Sequence, residues 1–293
     1  MMSHSDLLLI AFFLLPAVAL AGFVLLYRRR GERHSGAARV VLGNLLLLVF
    51  LAGLFVAGGE IYYRFIFDQT DGYHITRTSV RWMERHYQRN DRGVRDDVDY
   101  AGADDPGRMR VTFLGDSYTN GHGVKQVADR FVNRIRADRP GWEVHSFAED
   151  GMDTGPILDR VRRLTATGYQ LDVVVYVYCV NDISDLIPEW AAAAGRLYDE
   201  PPGYLVRHSF VINTWYYRLR ISRDPELTGY FDRIAESYSG PPWELQARRL
   251  RALHERVVVA GGRLLVVGFP SSSIAWTRCS TRRRPGWPGC GPN

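Results

Sequence analysis

The chain has 293 residues, 46% of them hydrophobic, and a formal charge of +5. Residues 28–39 carry five arginines against Glu32, and Arg278, Arg282, Arg283 and Arg284 add another +4, which leaves the remainder at −3. A body without a basic face cannot neutralise a run of phosphates, so nucleic-acid binding is excluded. The three cysteines and eight histidines show no zinc spacing and there is no Walker-type loop, so no cofactor is implied.

Residues 7–27 and 40–57 are apolar stretches long enough to span ~30 Å of hydrocarbon. The arginine-rich segment between them belongs on the cytoplasmic side, which places both chain ends across a bacterial inner membrane, in the periplasm or cell exterior. A cleaved signal peptide would carry a basic residue before its apolar run, yet Met1 to Asp6 has none. Residues 1–59 therefore read as two retained membrane helices. Residues 60–108 read as a juxtamembrane connector. Its Tyr62, Tyr63, Phe65, Phe67 and Trp82 suit either an interfacial belt or packing on a domain. Asp104-Asp105-Pro106-Gly107 marks a turn within it.

From residue 109 to 270 the pattern alternates strand and helix. Strands are expected at 110–114, 143–147, 173–178 and 263–268, and helices at 125–138, 156–165 and 243–260. Residues 171–178 form a continuous apolar run of the kind buried on both faces of a parallel sheet. Cys179 ends that run and reads as a small core residue. Residues 185–242 break the rhythm with prolines, alanines and Trp215-Tyr216-Tyr217. They suit either a surface loop holding a helix or two, or a lid over a cleft.

Three loops follow the first three strands. Gly115-Asp116-Ser117 lies at the first, with a helix expected to open near Val124; the isolated Gly151 lies at the second, and Asn181-Asp182 at the third. Open α/β sheets bind ligands beyond the carboxyl ends of their strands, so Ser117, Gly151 and Asn181 should converge there. A serine on such a turn has its hydroxyl clear of the sheet, and neighbouring N–H groups can meet a developing oxyanion.

These blocks, in this order, resemble those of the SGNH (GDSL-type) hydrolase family. Upstream, Asn90-Asp-Arg-Gly93-Val-Arg95-Asp96 resembles a segment of its membrane-anchored members. The resemblance covers roughly residues 90–270. It implies a three-layer, flavodoxin-like parallel sheet. It also implies Ser117 as nucleophile, and an oxyanion hole from the Ser117 and Gly151 N–H groups and the Asn181 side-chain amide, with Asp116 and Asp182 in support.

The chain departs from that family at its last block, a catalytic Asp-x-x-His after the final strand. No histidine follows His254, and the one such spacing, Asp71-Gly-Tyr-His74, lies upstream of the serine. His122 is near Ser117 in sequence and reads as a loop residue at the pocket rim, while His254 reads as part of a solvated helix face. Residues 271–293 have no strand or helix period. With one lysine against 36 arginines, the gene is expected to be GC-rich, and a shifted or cut reading frame would explain both the tail and the absent block. Cys279 and Cys290, which fall in that tail, suit a disulfide in an oxidising compartment. Two functions stay open: a membrane-anchored serine esterase, deacetylase or acyl-transferring relative acting on extracytoplasmic, cell-envelope glycan esters, or an inactive domain that binds acylated polysaccharide or partner proteins. A nucleotide-binding reading lacks the glycine pattern it needs between Gly115 and Gly121.

Overall fold

Runs of β-branched and apolar residues form four parallel strands: β1 (Met109–Gly115), β2 (Trp142–Ser146), β3 (Val173–Cys179) and β4 (Arg263–Phe269). The computed structural model describes residues 3–28, 36–100, 107–199 and 201–269. The arginine-rich residues 29–35, the Asp104-Asp105-Pro106 turn and the tail from residue 270, with Cys279 and Cys290, lie outside them. The chain divides into two compact units, Met1–Met83 with Leu197–Arg223 and Glu84–Arg196 with Asp224–Asn293.

The second unit holds the sheet, in the order β2-β1-β3-β4. Successive side chains point to opposite faces, and each face has its own core. Val111, Phe113, Val144, Val175 and Val177 pack with Val132 of helix α5 (Phe131–Asp138). Leu114, Val174 and Tyr176 pack with Ile157, Leu158 and Val161 of α6 (Thr154–Ala166) and with Leu253 and Val257 of α12 (Gly240–Val259). The crossover reverses direction between β1 and β3, and a crevice opens at such a point beyond the strand ends.

One expected boundary moves. No helix opens near Val124. A one-turn helix, α4 (Ser117–Asn120), begins on Ser117 itself, and α5 starts only at Phe131 after a 3₁₀ turn at Val127–Asp129. Gly121 and Gly123, both at positive φ, break the chain between them.

The first unit is helical. α1 (His4–Arg28) and α2 (Gly36–Ile61) pair closely, and α2 runs on through a π-turn (Tyr62–Ile66). Both are long and apolar enough to cross a membrane, and only 17% of the most apolar stretch of each is buried. Glycine permits the close approach: a Cβ on Gly53 would stand 3.0 Å from Pro16, and one on Gly43 would meet the Tyr27 ring. Arg39 closes the end of α1 by donating to the Leu26 and Tyr27 carbonyls at 2.9 and 3.1 Å. α3 (Arg77–His86) follows within the expected connector.

The segment 185–242 is helical through most of its length. α7 (Pro188–Gly195), α10 (Pro225–Thr228) and α11 (Tyr230–Ser237) belong to the second unit, whereas α8 (Tyr204–His208) and α9 (Phe210–Arg223) belong to the first.

Candidate functional site

β1 ends at Gly115, whose neighbours leave no room for a side chain: a Cβ there would run into Thr119 Oγ1 and stand 3.1 Å from the Val177 carbonyl. Asp116 is the N-cap of α4, its Oδ1 accepting from Tyr118 N at 2.9 Å. Ser117 is thus the first helical residue. At the other end Gly121 turns left-handed, with Gly121 N donating to Tyr118 O and His122 N to Ser117 O at 3.2 and 2.8 Å. That is a Schellman closure, and it makes a four-residue helix self-contained.

The turn is braced from behind by buried charged residues. Arg95 is buried and donates to the Gly121 carbonyl at 2.6 Å, to Asn120 O at 3.3 Å, to His86 O at 3.1 Å and to Val124 O. Its neighbour Asp96 accepts from Arg136 at 2.8 and 2.6 Å, from Asn133 at 3.0 Å and from the Tyr100 hydroxyl at 2.5 Å. Burial opposes the charge on Asp96, but the Arg136 and Tyr100 hydrogen bonds outweigh it and hold the carboxyl well below its usual range. Arg130, also buried, donates to Arg95 O and to Ser146 Oγ. The only advance signal for this brace is the upstream block Asn90–Asp96.

The loop after β3 joins the same turn. Asn181 is half-buried, and its amide donates to Asp116 Oδ2 at 3.3 Å. The Cys179 thiol donates to Asp116 Oδ1 at 3.3 Å. Asp182 is fully buried: Tyr176 OH and Cys179 N donate to its Oδ2 at 2.6 and 3.1 Å. Its carbonyl receives Thr154 N, Thr154 Oγ1 and Gln246 Nε2, so one residue fastens β3 to α6 and α12. Asp116, Cys179 and Asp182 each bring a ligand-type atom within 4.8 Å of the others. Burial, and then the Asp116 charge, push both the Cys179 thiol and the Asp182 carboxyl up. Hydrogen bonds from Cys179 and Asn181 to Asp116, and from Tyr176 to Asp182, make this cluster a brace between β1 and β3.

The loop after β2 carries Gly151 in the left-handed region, at φ 76°, and exposed. It is tied to the serine turn twice, by Glu149 N donating to Gly115 O at 3.3 Å and by Asn120 Nδ2 donating to Asp150 Oδ1 at 2.8 Å. Asp150 also accepts from Tyr87 OH, and its Oδ2 lies 3.5 Å from His122 Nδ1. Farther along, Asp153 accepts from Ser184 Oγ at 3.1 Å; burial, then the Asp185 charge, push its carboxyl up to about 7.

The three loops therefore meet beyond adjacent strand ends, with Asp116 and Asn181 in direct contact and Gly151 on the neighbouring loop. Among the described residues, no side chain hydrogen-bonds the half-buried Ser117 hydroxyl. The upstream Asp71-x-x-His74 spacing belongs to the first unit and is a turn: the Asp71 carboxylate accepts from the backbone N–H groups of Tyr73, Ile75 and Thr76. His254 is exposed on α12, as a solvated face would be.

Fold and site define a parallel α/β protein whose chain also carries two helices long and apolar enough to cross a membrane. Comparison with protein-family models, with curated proteins and with solved structures finds no match.

Proposed function

We propose that the chain is a membrane-anchored serine hydrolase of the SGNH type, an esterase, deacetylase or acyl-transferring relative working on extracytoplasmic esters. The observation that carries the reading is Ser117 at the first position of a helix beyond the end of central strand β1. Its hydroxyl is uncommitted, and the loops bearing Gly151 and Asn181 flank it. A helix N-terminus is a natural place for an oxyanion, because its leading N–H groups have no partner within the helix. The strand order supports a flavodoxin-like arrangement, and the two apolar helices support a membrane anchor. A cell-envelope glycan ester is the substrate class that suits a domain tethered on the outer side.

A serine needs a base to be useful near neutral pH. The His122–Asp150 pair, on the loops that flank α4, is the candidate here. Its imidazole Nδ1 stands 3.5 Å from the carboxylate oxygen, close enough for a small movement to bring the two into contact. The second reading, an inactive domain that binds acylated glycan or a partner, draws on the same uncommitted hydroxyl.

The test is turnover of a nitrophenyl acetate by the full chain in detergent. Ser117→Ala should reduce it to background with the melting temperature unchanged, since the hydroxyl holds nothing in place. His122→Ala should follow it down by about 10²-fold or more if the histidine is the base. Turnover that survives Ser117→Ala ends the hydrolase reading. A wild-type chain that is folded and inert favours the binding domain.

A further inference from the structure

In the first unit, α9 is fastened to the end of α2 by a single carboxylate. Glu60 is fully buried one residue before α2 ends, and it accepts from Ser209 Oγ at 2.8 Å, Phe210 N at 3.1 Å and Val211 N at 3.0 Å. An anion on the leading N–H groups of a helix is held by those hydrogen bonds and by the helix dipole. So α9 starts where the apolar stretch of α2 is ending.

One face of α9 is buried through Phe210, Val211, Asn213, Thr214 and Tyr217. The opposite face is a single stripe at helical spacing: Trp215, Arg218, Leu219, Ser222 and Arg223 are all exposed. Trp215 and Leu219 are 47% and 46% exposed, more than a solvated helix gains anything from. The stripe continues onto the end of the membrane-type helix. Arg218 donates to Tyr63 OH at 3.2 Å, and its guanidinium lies within 6 Å of the Tyr63, Phe67 and Trp215 rings. On the same π-turn Tyr62, Phe65 and Ile66 are exposed.

We infer that α9 is an interfacial helix, lying in the headgroup layer of the leaflet into which α2 emerges, with Trp215 and Leu219 against the acyl boundary and Arg218 and Arg223 on anionic lipid phosphates. The inference rests on reading α1 and α2 as membrane spans. The occupant is lipid rather than protein because the stripe is continuous with the end of a span that lipid already surrounds. The side chains agree, since tryptophan settles at headgroup depth and arginine pairs with phosphate oxygens.

The experiment uses the full chain in nanodiscs of phosphatidylcholine, with and without one-quarter phosphatidylglycerol. Cys279 and Cys290 are replaced by serine, and the buried Cys179 is left in place. Nitroxide labels are attached through Leu219→Cys and, separately, through Val18→Cys on α1, and immersion is read from oxygen against nickel-chelate accessibility. The expected result is a deep label at position 18 and one at headgroup depth at position 219. The latter should be drawn further in by phosphatidylglycerol. Arg218→Gln with Arg223→Gln should abolish that lipid dependence and leave position 18 unmoved. A deep position 18 with a fully water-accessible position 219 overturns the inference and leaves the spans standing. A water-accessible position 18 removes the spans, and the inference with them. Phosphatidylglycerol dependence that survives loss of both arginines overturns the assignment of the charged contacts. A label at 219 shielded from both reagents in native membranes but not in nanodiscs means that a protein partner covers the stripe, and overturns it too.

Discussion

β3 and β4 are paired neighbours in full register, from Val173 opposite Arg263 to Cys179 opposite Phe269, and both are dominated by apolar residues. Their surroundings differ. Val174 and Tyr176 in β3 are completely buried between sheet and helices, whereas Leu265, Val266, Val267 and Phe269 in β4 are all exposed. An apolar run thus predicts that a segment pairs as a strand, which is a local matter. It does not predict what will lie over that strand, which depends on residues elsewhere in the chain. Where the covering helix is present, as with α6 and α12 over β3, the run becomes core. Among the described residues β4 is the outermost strand on its side of the sheet, and an edge strand with apolar side chains is a combination that invites strand addition by another chain.

The largest test of that contrast sets truncations at the two places against each other. Leu114→Ala, at a fully buried position of β1, should cost about 3 kcal/mol through lost burial and the cavity left behind. Val266→Ala in β4 should cost less than about 1 kcal/mol. Chemical denaturation of the two variants checks both, and equal losses would mean that β4 is covered in solution. A smaller effect comes from Asp153, near the start of α6. Its carboxyl titrates near 7 in the folded chain and near 3.8 unfolded, so between those values the folded state holds a proton that the unfolded state has released. Stability should therefore fall as pH rises from about 4 to 7 and level off above, by about 1 kcal/mol after allowance for solvent screening. Asp153→Asn should flatten that slope, as melting temperatures at pH 5 and pH 8 would show. The smallest effect on stability is expected from Val267→Lys, within about 0.5 kcal/mol. Its readout is light scattering: a lysine on an exposed edge should suppress self-association, and unchanged scattering would mean that β4 is not the surface responsible.

The strands were legible because a run of β-branched and apolar residues pairs as a strand whether it is covered, as β3 is, or exposed, as β4 is. Each observed strand lies within one residue of its expected ends. The helix on Ser117 was not legible, because Ser-Tyr-Thr-Asn has no apolar period. Its stability comes from an aspartate cap before it and a left-handed glycine after it. α9 was obscured for a related reason: its buried face includes Asn213 and Thr214, whose hydrogen bonds substitute for hydrophobicity. That Ser117, Gly151 and Asn181 follow neighbouring strand ends could be read from their positions after apolar runs. Arg95 and Asp96, which brace the turn, could not be, since charged residues are buried only when partners far away in sequence neutralise or bond them. His122 facing Asp150 belongs to the same class, a pairing between two loops that no local pattern announces.

The Glu60 fastening has a consequence for how the chain is made. Its bond to Phe210 spans 150 residues. At 5–20 residues per second, roughly 8–30 s pass between synthesis of the carboxylate and synthesis of its partner. During that interval α1 and α2 are complete and β1, β2 and β3 are emerging, while Glu60 lacks the helix N-terminus that it meets in the folded chain. When α9 arrives, a long and entropically expensive loop closes onto a carboxylate already in place at the end of α2.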